Sequence, residues 1–217
     1  MSSCHSSAQV AVPSSGGSVA LVGHPNVGKS VLFQRLTGQR VIVSNYPGTT
    51  VELSRGNLVA YPDTAVVDTP GIVMFPPRSE DEQVTARVLL NEPLKAVIQV
   101  GDAKNIRRTL LLTVQLAEMG LPILLVLYMY DEAKSCGIEL DIASLREQLN
   151  LPVVSTIAVK GTGVDGIVAQ LKQIRRPGFS IEYPDVVEQA LNSIVPNLPE
   201  DMPIAARSFA LVKWRST

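Results

Sequence analysis

Cysteine and histidine are almost absent from this sequence: each occurs twice in 217 residues. The two cysteines, Cys4 and Cys136, are far apart, which rules out a disulfide framework and a zinc quartet. A reducing compartment is the simpler expectation. Cys4 stands beside His5 in a Ser/Gly/Ala-rich leader, Met1 to Gly17, which lacks the charged start and apolar run of a signal peptide. Both are read as incidental residues of a flexible tail. Neither sign of charge is in excess, since 19 basic against 20 acidic side chains leave a net charge of −1. That argues against a partner held by bulk charge, nucleic acid above all. Hydrophobic residues reach 46%, yet no run approaches the ~20 apolar residues of a membrane-spanning helix. The longest, Leu121 to Met129, is interrupted by Pro122 and Tyr128 and has the length of a strand. Any link to a membrane is therefore expected outside these residues.

What is present is an alternation of short apolar runs and amphipathic stretches. Strands are expected at Ser18 to Gly23, Val51 to Ala60, Thr64 to Asp68, Lys95 to Val100, Pro122 to Leu127 and Pro152 to Thr156. Helices are expected at Ser30 to Leu36, Glu80 to Asn91, Ile106 to Glu118, Leu140 to Leu149 and Gly163 to Ile174. This order predicts an α/β fold: a mostly parallel six-stranded sheet with helices on both faces. The connection at Tyr61-Pro62-Asp63 is too short for a crossover, so one edge strand should be antiparallel. Two further helical stretches, Asp185 to Val195 and Ile204 to Trp214, follow a break at Arg175-Arg176-Pro177-Gly178. The organisation expected is a leader over 1–17, a main domain over 18–176 and a small, truncated helical segment over 177–217.

Chemistry enters between the first strand and the first helix. Gly23-His24-Pro25-Asn26-Val27-Gly28-Lys29-Ser30 matches G-x-x-x-x-G-K-[ST], and Val31 continues it into the helix. Glycine permits the tight turn, and successive backbone N–H groups at a helix N-terminus form a nest for phosphate oxygens. Lys29 should reach the β- and γ-phosphates, and the Ser30 hydroxyl should ligate Mg²⁺. The second element is Val66-Val67-Asp68-Thr69-Pro70-Gly71, which delivers an aspartate at a strand end. Alone it is a common turn. Paired with the phosphate loop it reads as a GTPase element, Asp68 holding Mg²⁺ and the Gly71 N–H sensing a γ-phosphate. Between them Thr49 and Thr50 share a loop with Pro47 and Gly48, and one threonine there should close over Mg²⁺ and γ-phosphate.

The runs GHPNVGKSVLFQRLTG, SNYPGTTVE, VVDTPGIV, VLLNEP, GDAKNIRRTLLLTVQLAEMGLPILLVLYMYDEAKSCGIELD and VVSTIAVKGTG together resemble the cytosolic G domain of ferrous iron transport protein B (FeoB). The resemblance extends over nearly all of Ser18 to Trp214, and the stretch after residue 180 resembles the start of that family's helical, GDP-dissociation-inhibitor-like domain. It implies a P-loop GTPase fold and a GTP/GDP-binding domain on the cytoplasmic face of the bacterial inner membrane. There, nucleotide state would regulate ferrous iron uptake through a membrane domain of the same full-length protein; self-association is left open. Carried over by residue, Gly23 to Ser30 form the loop, Thr50 is the magnesium threonine, and Asp68 and Gly71 are the second switch pair. Asn26 falls where potassium-activated relatives place a K⁺ ligand.

Three departures stand out. The guanine-reading motif N-x-x-D here reads Tyr128-Met129-Tyr130-Asp131, so Asp131 remains while a phenol replaces the amide. A phenol cannot bond the same set, which predicts guanine affinity weakened by about 1–3 kcal/mol. The next base-contacting pair, usually Ser-Ala, is Ile157-Ala158. Ile72 follows Gly71 where Ras-like proteins carry a water-orienting glutamine, so hydrolysis should be slow. These departures keep a second reading open, a non-hydrolysing interaction domain; a ribosome-associated GTPase and an ATPase are further alternatives. Arg107, Arg108, Arg175 and Arg176 are read as solvated or linker charge, the acidic run Glu80 to Glu82 as a helix cap, and Trp214 as packing within the helical segment.

Overall fold

The computed structural model describes residues 17–38, 41–157, 163–174, 176–177, 181–199 and 204–215, with side chains described as far as Leu211. Cys4, His5, Ala158, Arg175 and the Trp214 side chain lie outside the described residues, as does all of the leader before Gly17.

The chain runs β1 (Ser18–Val22), α1 (Lys29–Thr37), β2 (Val41–Asn45), β3 (Glu52–Asn57), β4 (Ala65–Asp68) and α2 (Glu80–Asn91). It continues through β5 (Leu94–Asp102), α3 (Ile106–Glu118), β6 (Ile123–Tyr128), α4 (Tyr130–Ser135), α5 (Ile142–Leu149), β7 (Val153–Ser155) and α6 (Val164–Leu171). Last come α7 (Asp185–Ile194) and α8 (Ala206–Arg215). One sheet joins the strands in the order β2-β3-β4-β1-β5-β6-β7. The five strands from β4 to β7 run parallel, and β3 is antiparallel to both neighbours.

The expected α/β architecture is present, with seven strands where six were expected. The additional strand is β2, which takes the edge and moves the antiparallel strand one place inward. Its residues are exposed apart from a half-buried Val41, so no buried face marks it in the sequence; only its ladder to β3 makes it a strand. The central strands show the opposite case. Every residue of β1 and β6 is buried, as expected of parallel strands covered on both faces.

Alternation along β1 sends Val19 and Leu21 to one face and Ala20 and Val22 to the other. The first face packs on Leu32, Phe33 and Leu36 of α1 and Ile167 and Leu171 of α6. The second packs on Val84, Val88 and Leu89 of α2 and Leu112 and Leu116 of α3. α2 opens with a capping box: the Ser79 side chain accepts from the Glu82 N–H at 3.2 Å, and the Glu82 carboxylate accepts from the N–H groups of Arg78 at 2.7 Å and Val73 at 3.0 Å.

α7 and α8 pack on each other through Leu191, Ala210 and Leu211. They are also tied to the end of α3. Tyr183 donates to the Glu118 carboxylate at 2.8 Å, the Ser208 hydroxyl donates to the Glu118 carbonyl, and the Ala205 N–H donates to the Met119 carbonyl at 2.8 Å. Ile204 enters the core beneath α2 and α3.

Candidate functional site

The loop after β1, Asp68 at the end of β4, Tyr128 at the end of β6 and Ile157 past β7 lie at the carboxyl edge of the parallel strands, where open α/β sheets place their ligands. The loop Gly23 to Ser30 leaves β1 and enters α1. A side chain at Gly23 would put its Cβ 2.2 Å from the Val100 carbonyl oxygen, so only glycine allows the loop to press against β5. Gly28 sits at φ +92° and Asn26 at φ +62°, the left-handed turns that fold the loop back on itself. Gly28 is also the N-cap of α1, and no side chain caps that helix. Its first N–H groups are left for an anion.

Lys29 is buried, and its ammonium donates to the carbonyls of His24 at 3.2 Å and Gly23 at 3.4 Å. Burial pulls its pKa below the usual lysine value, with nearby Asp68 opposing the shift. Ser30 donates from Oγ to Asp68 Oδ2 at 2.8 Å, while Asp68 Oδ1 is buried with no partner among the described residues. Burial pushes the Asp68 carboxyl up, against the pull of Ser30 and Lys29. A hydroxyl and a carboxylate held together, with one carboxylate oxygen orphaned, are hard oxygen donors of the kind Mg²⁺ takes. The residues present fit that ion.

The Asp68-Thr69-Pro70-Gly71 turn is stapled to the same loop. Thr69 Oγ1 donates to the Leu21 carbonyl at 2.7 Å, and the Ile72 N–H donates to the Gly23 carbonyl at 3.0 Å. Gly71 lies against Pro25 so closely that a Cβ there would fall 2.6 Å from the proline ring. The Ile72 side chain is fully buried in the core beneath α2 and α3. It therefore has no access to a nucleotide. Thr50 is exposed on its loop, lining a cleft of about 420 Å³ with Pro70, Glu80 and Asp81. No hydrogen bond joins it to Ser30 or Asp68 among the described residues.

At the end of β6 stands Tyr128, Met129 turns the chain at φ +57°, and Asp131 follows half-buried in the first turn of α4. Backbone bonds brace this corner: Thr156 N–H to the Leu127 carbonyl at 2.8 Å and Tyr130 N–H to the Thr156 carbonyl at 3.4 Å. Ile157 is half-buried just past β7.

The family model described as ferrous iron transport protein B matches residues 17–171. The chain belongs to the ferrous iron transport protein B (FeoB) family. It is 34% identical to the Fe(2+) transporter FeoB of Staphylococcus aureus over 177 residues, which are 80% of this chain and 26% of that protein. To the Escherichia coli Fe(2+) transporter FeoB it is 31% identical over 199 residues, 88% of this chain and again 26% of the relative. The chain thus spans about a quarter of the length of these relatives. Among solved structures, a mutant of S. thermophilus NFeoB bound to GDP is similar with a TM-score of 0.84 and 34% identity, covering 92% of this chain and 78% of that one. The cytosolic domain of the T. maritima FeoB iron transporter in its GMPPNP form gives 0.82 and 32%, covering 90% and 79%. The fold is that of a FeoB G domain, a P-loop GTPase fold.

Two residues of this FeoB domain escaped the sequence reading. Gln115 on α3 brackets the chain after the Asp68-Thr69-Pro70-Gly71 turn, accepting from the Phe75 N–H at 3.0 Å and donating to the Phe75 carbonyl at 3.2 Å. Nothing in its local sequence marks it, because Phe75 is distant along the chain. Glu82, expected as helix-cap charge, also accepts from the Val73 N–H of the chain leading into α2. The Ser79-x-x-Glu82 spacing was the signal available. Arg107 and Arg108 are exposed, as expected, and Arg108 also lies close enough to His24, with burial acting first, to lower the imidazole pKa.

Proposed function

We propose that this chain binds GTP and GDP with Mg²⁺ and hydrolyses GTP slowly to GDP and phosphate. Its nucleotide state would regulate ferrous iron uptake by a longer FeoB-family membrane protein. The Ser30–Asp68 pair at 2.8 Å beside buried Lys29 carries this reading. Among the described residues, the buried ammonium bonds only carbonyls and one carboxylate oxygen has no partner, places that a nucleotide phosphate and its ion would fill. The GDP and GMPPNP forms of similar structures support the choice of nucleotide.

In this reading, the loop Gly23 to Val31 wraps the phosphates, its backbone N–H groups from Asn26 onward donating to them, and Lys29 turns from the carbonyls of Gly23 and His24 to the β- and γ-phosphate oxygens. Ser30, Thr50 and Asp68 would hold Mg²⁺, which when bound would supply positive charge beside the phosphates. The Gly71 N–H meets the γ-phosphate, and Asn26 offers its side-chain oxygen to K⁺. Water attacks the γ-phosphorus in line, the bond to the bridging oxygen breaks, and GDP leaves. Because Ile72 points into the core, no side chain there orients that water, and turnover is slow. Asp131 accepts from the guanine edge, while Ile157 borders the base. The domain sits at the cytoplasmic face of a bacterial inner membrane, with the membrane domain of its own full-length protein as partner and no nucleic acid involved.

The test is GTP hydrolysis in K⁺ and in Na⁺ buffers, with fluorescent-GDP titration, for wild type, Lys29→Ala, Asp68→Asn and Asn26→Ala. Expected are Mg²⁺-dependent turnover that rises in K⁺, loss of at least tenfold in the first two variants, and loss of only the K⁺ effect in Asn26→Ala. Absence of GTP binding and of turnover in both salts would make this an interaction domain, and ATP competing as well as GTP would make it an ATPase.

A further inference from the structure

We propose that Tyr128 is a positioning residue for phosphate binding: its ring braces the phosphate loop at Gly28 by packing, in the place where the usual motif puts an amide. This rests on the reading of that loop as the nucleotide site.

Tyr128 is the last residue of β6, paired with Asp102 of β5, and the left-handed turn at Met129 takes the chain out of the sheet immediately after it. Its backbone is thus fixed by the ladder on one side and by the turn on the other. The side chain is 4% exposed and belongs to the cluster that includes Val27, Leu32 and Val126. It reaches the loop itself. A Cβ added to Gly28 would fall 2.4, 2.7 and 2.9 Å from ring atoms Cε1, Cζ and Cδ1. The ring edge therefore lies flush on the Gly28 α-carbon, in the space a side chain would need.

Gly28 is a sensitive place to hold. Its φ of +92° aims the N–H groups at the start of α1, and Lys29 and Ser30 follow it directly. The other restraint on it is local, the Leu32 N–H bonding to its carbonyl at 3.1 Å. No side chain caps the helix there. The phenol makes no hydrogen bond among the described residues, so the contact is made by the ring. Burial, followed by Glu132 and Asp131, pushes the phenol pKa up against the pull of Arg35.

A loop held in its binding conformation before the ligand arrives binds more tightly than one that must be ordered on binding. Removing the ring should therefore weaken every phosphate ligand alike, whatever its base. An asparagine at 128 would restore the usual motif on paper. It would also leave space under Gly28 and set an amide among Val27, Leu32 and Val126. The substitution that looks like a repair should do harm.

The experiment is calorimetric titration of the Mg²⁺-loaded chain with GDP and with pyrophosphate, a probe that has no base. Wild type, Tyr128→Phe, Tyr128→Leu and Tyr128→Asn are compared, with thermal melts of each in the absence of ligand. Expected is that Phe retains both affinities within about twofold, while Leu and Asn weaken both by the same factor, on the order of tenfold. Tighter GDP binding by Tyr128→Asn with pyrophosphate unchanged would overturn the proposal, since Tyr128 would then act on the base. Unchanged binding of both probes in Tyr128→Leu would overturn it as well. Should Leu fail to melt cooperatively, the Phe and Asn pair decides by the same criteria. Wild type that binds pyrophosphate but not GDP would sink the guanine assignment and leave the Tyr128 comparison intact; binding of neither would end both.

Discussion

Substituting Gly28 by alanine tests the loop from its other side, and the structure sets the size of the effect. Two costs are separable. At φ +92° an L-residue is strained by about 1–2 kcal/mol. The new methyl would also lie 2.4 Å from the Tyr128 ring, which cannot retreat because its backbone is held in the β5–β6 ladder. Overpacking of this kind costs about 1–3 kcal/mol. The sum, about 2–5 kcal/mol, corresponds to a fall in Tm of about 4–20 °C for a chain of this size. Gly48→Ala is the control: its φ is +76°, but nothing lies within 4 Å of the added Cβ, so only the conformational cost of about 1–2 kcal/mol remains. In the double variant Gly28→Ala/Tyr128→Leu the overlap disappears. Its destabilisation should therefore fall below the sum of the two single effects by about 1–3 kcal/mol. Thermal and urea unfolding followed by circular dichroism measure wild type, the three single variants and the double variant. Equal losses in Gly28→Ala and Gly48→Ala, or strict additivity in the double variant, would refute the reasoning.

Replacing Glu82 by alanine removes the acceptor of the N–H groups of half-buried Val73 and exposed Arg78. A loss of about 1–3 kcal/mol in urea unfolding is expected, with faster proteolysis at the second switch. Leu112 is fully buried on α3, and Leu112→Ala should cost about 2–5 kcal/mol by the same measurement. The Arg207 guanidinium, aided by the Tyr183 N–H, holds the Glu188 carboxyl at about 2 against an ordinary 4.5. A carboxyl depressed on folding stabilises above its unfolded value and loses that contribution as pH falls through its folded one. Stability should therefore drop between pH 4.5 and pH 2 more steeply in wild type than in Glu188→Gln. Identical pH profiles would show that the ion pair contributes nothing.

Several elements were legible before any coordinates. The helices Glu80–Asn91 and Ile106–Glu118 span the residues that their sequence pattern predicts. The strands β1 and β6 announce themselves as apolar runs because both their faces are covered. Others were not legible. The short helix α4 begins at a left-handed Met129, which no local preference demands. β2 lacks a buried face and exists through its pairing.

The phosphate loop could be read from the chain alone because its geometry is local: glycines at turning points, a lysine and a serine at the head of a helix, all within one contiguous stretch. The family could be read for the same reason, from contiguous motifs. What the sequence could not decide is which of these residues touch. Ser30 meets Asp68, Phe75 meets Gln115, and Tyr128 meets Gly28 only after the sheet has brought separate strand ends to one edge. The orientation of Ile72 into the core, and hence away from any nucleotide, is likewise a result of packing. Backbone conformation and periodicity are properties of neighbours along the chain, whereas a contact between distant residues is a property of the packed core, and it is there that Tyr128 changes from a defect in a motif to a support for the loop.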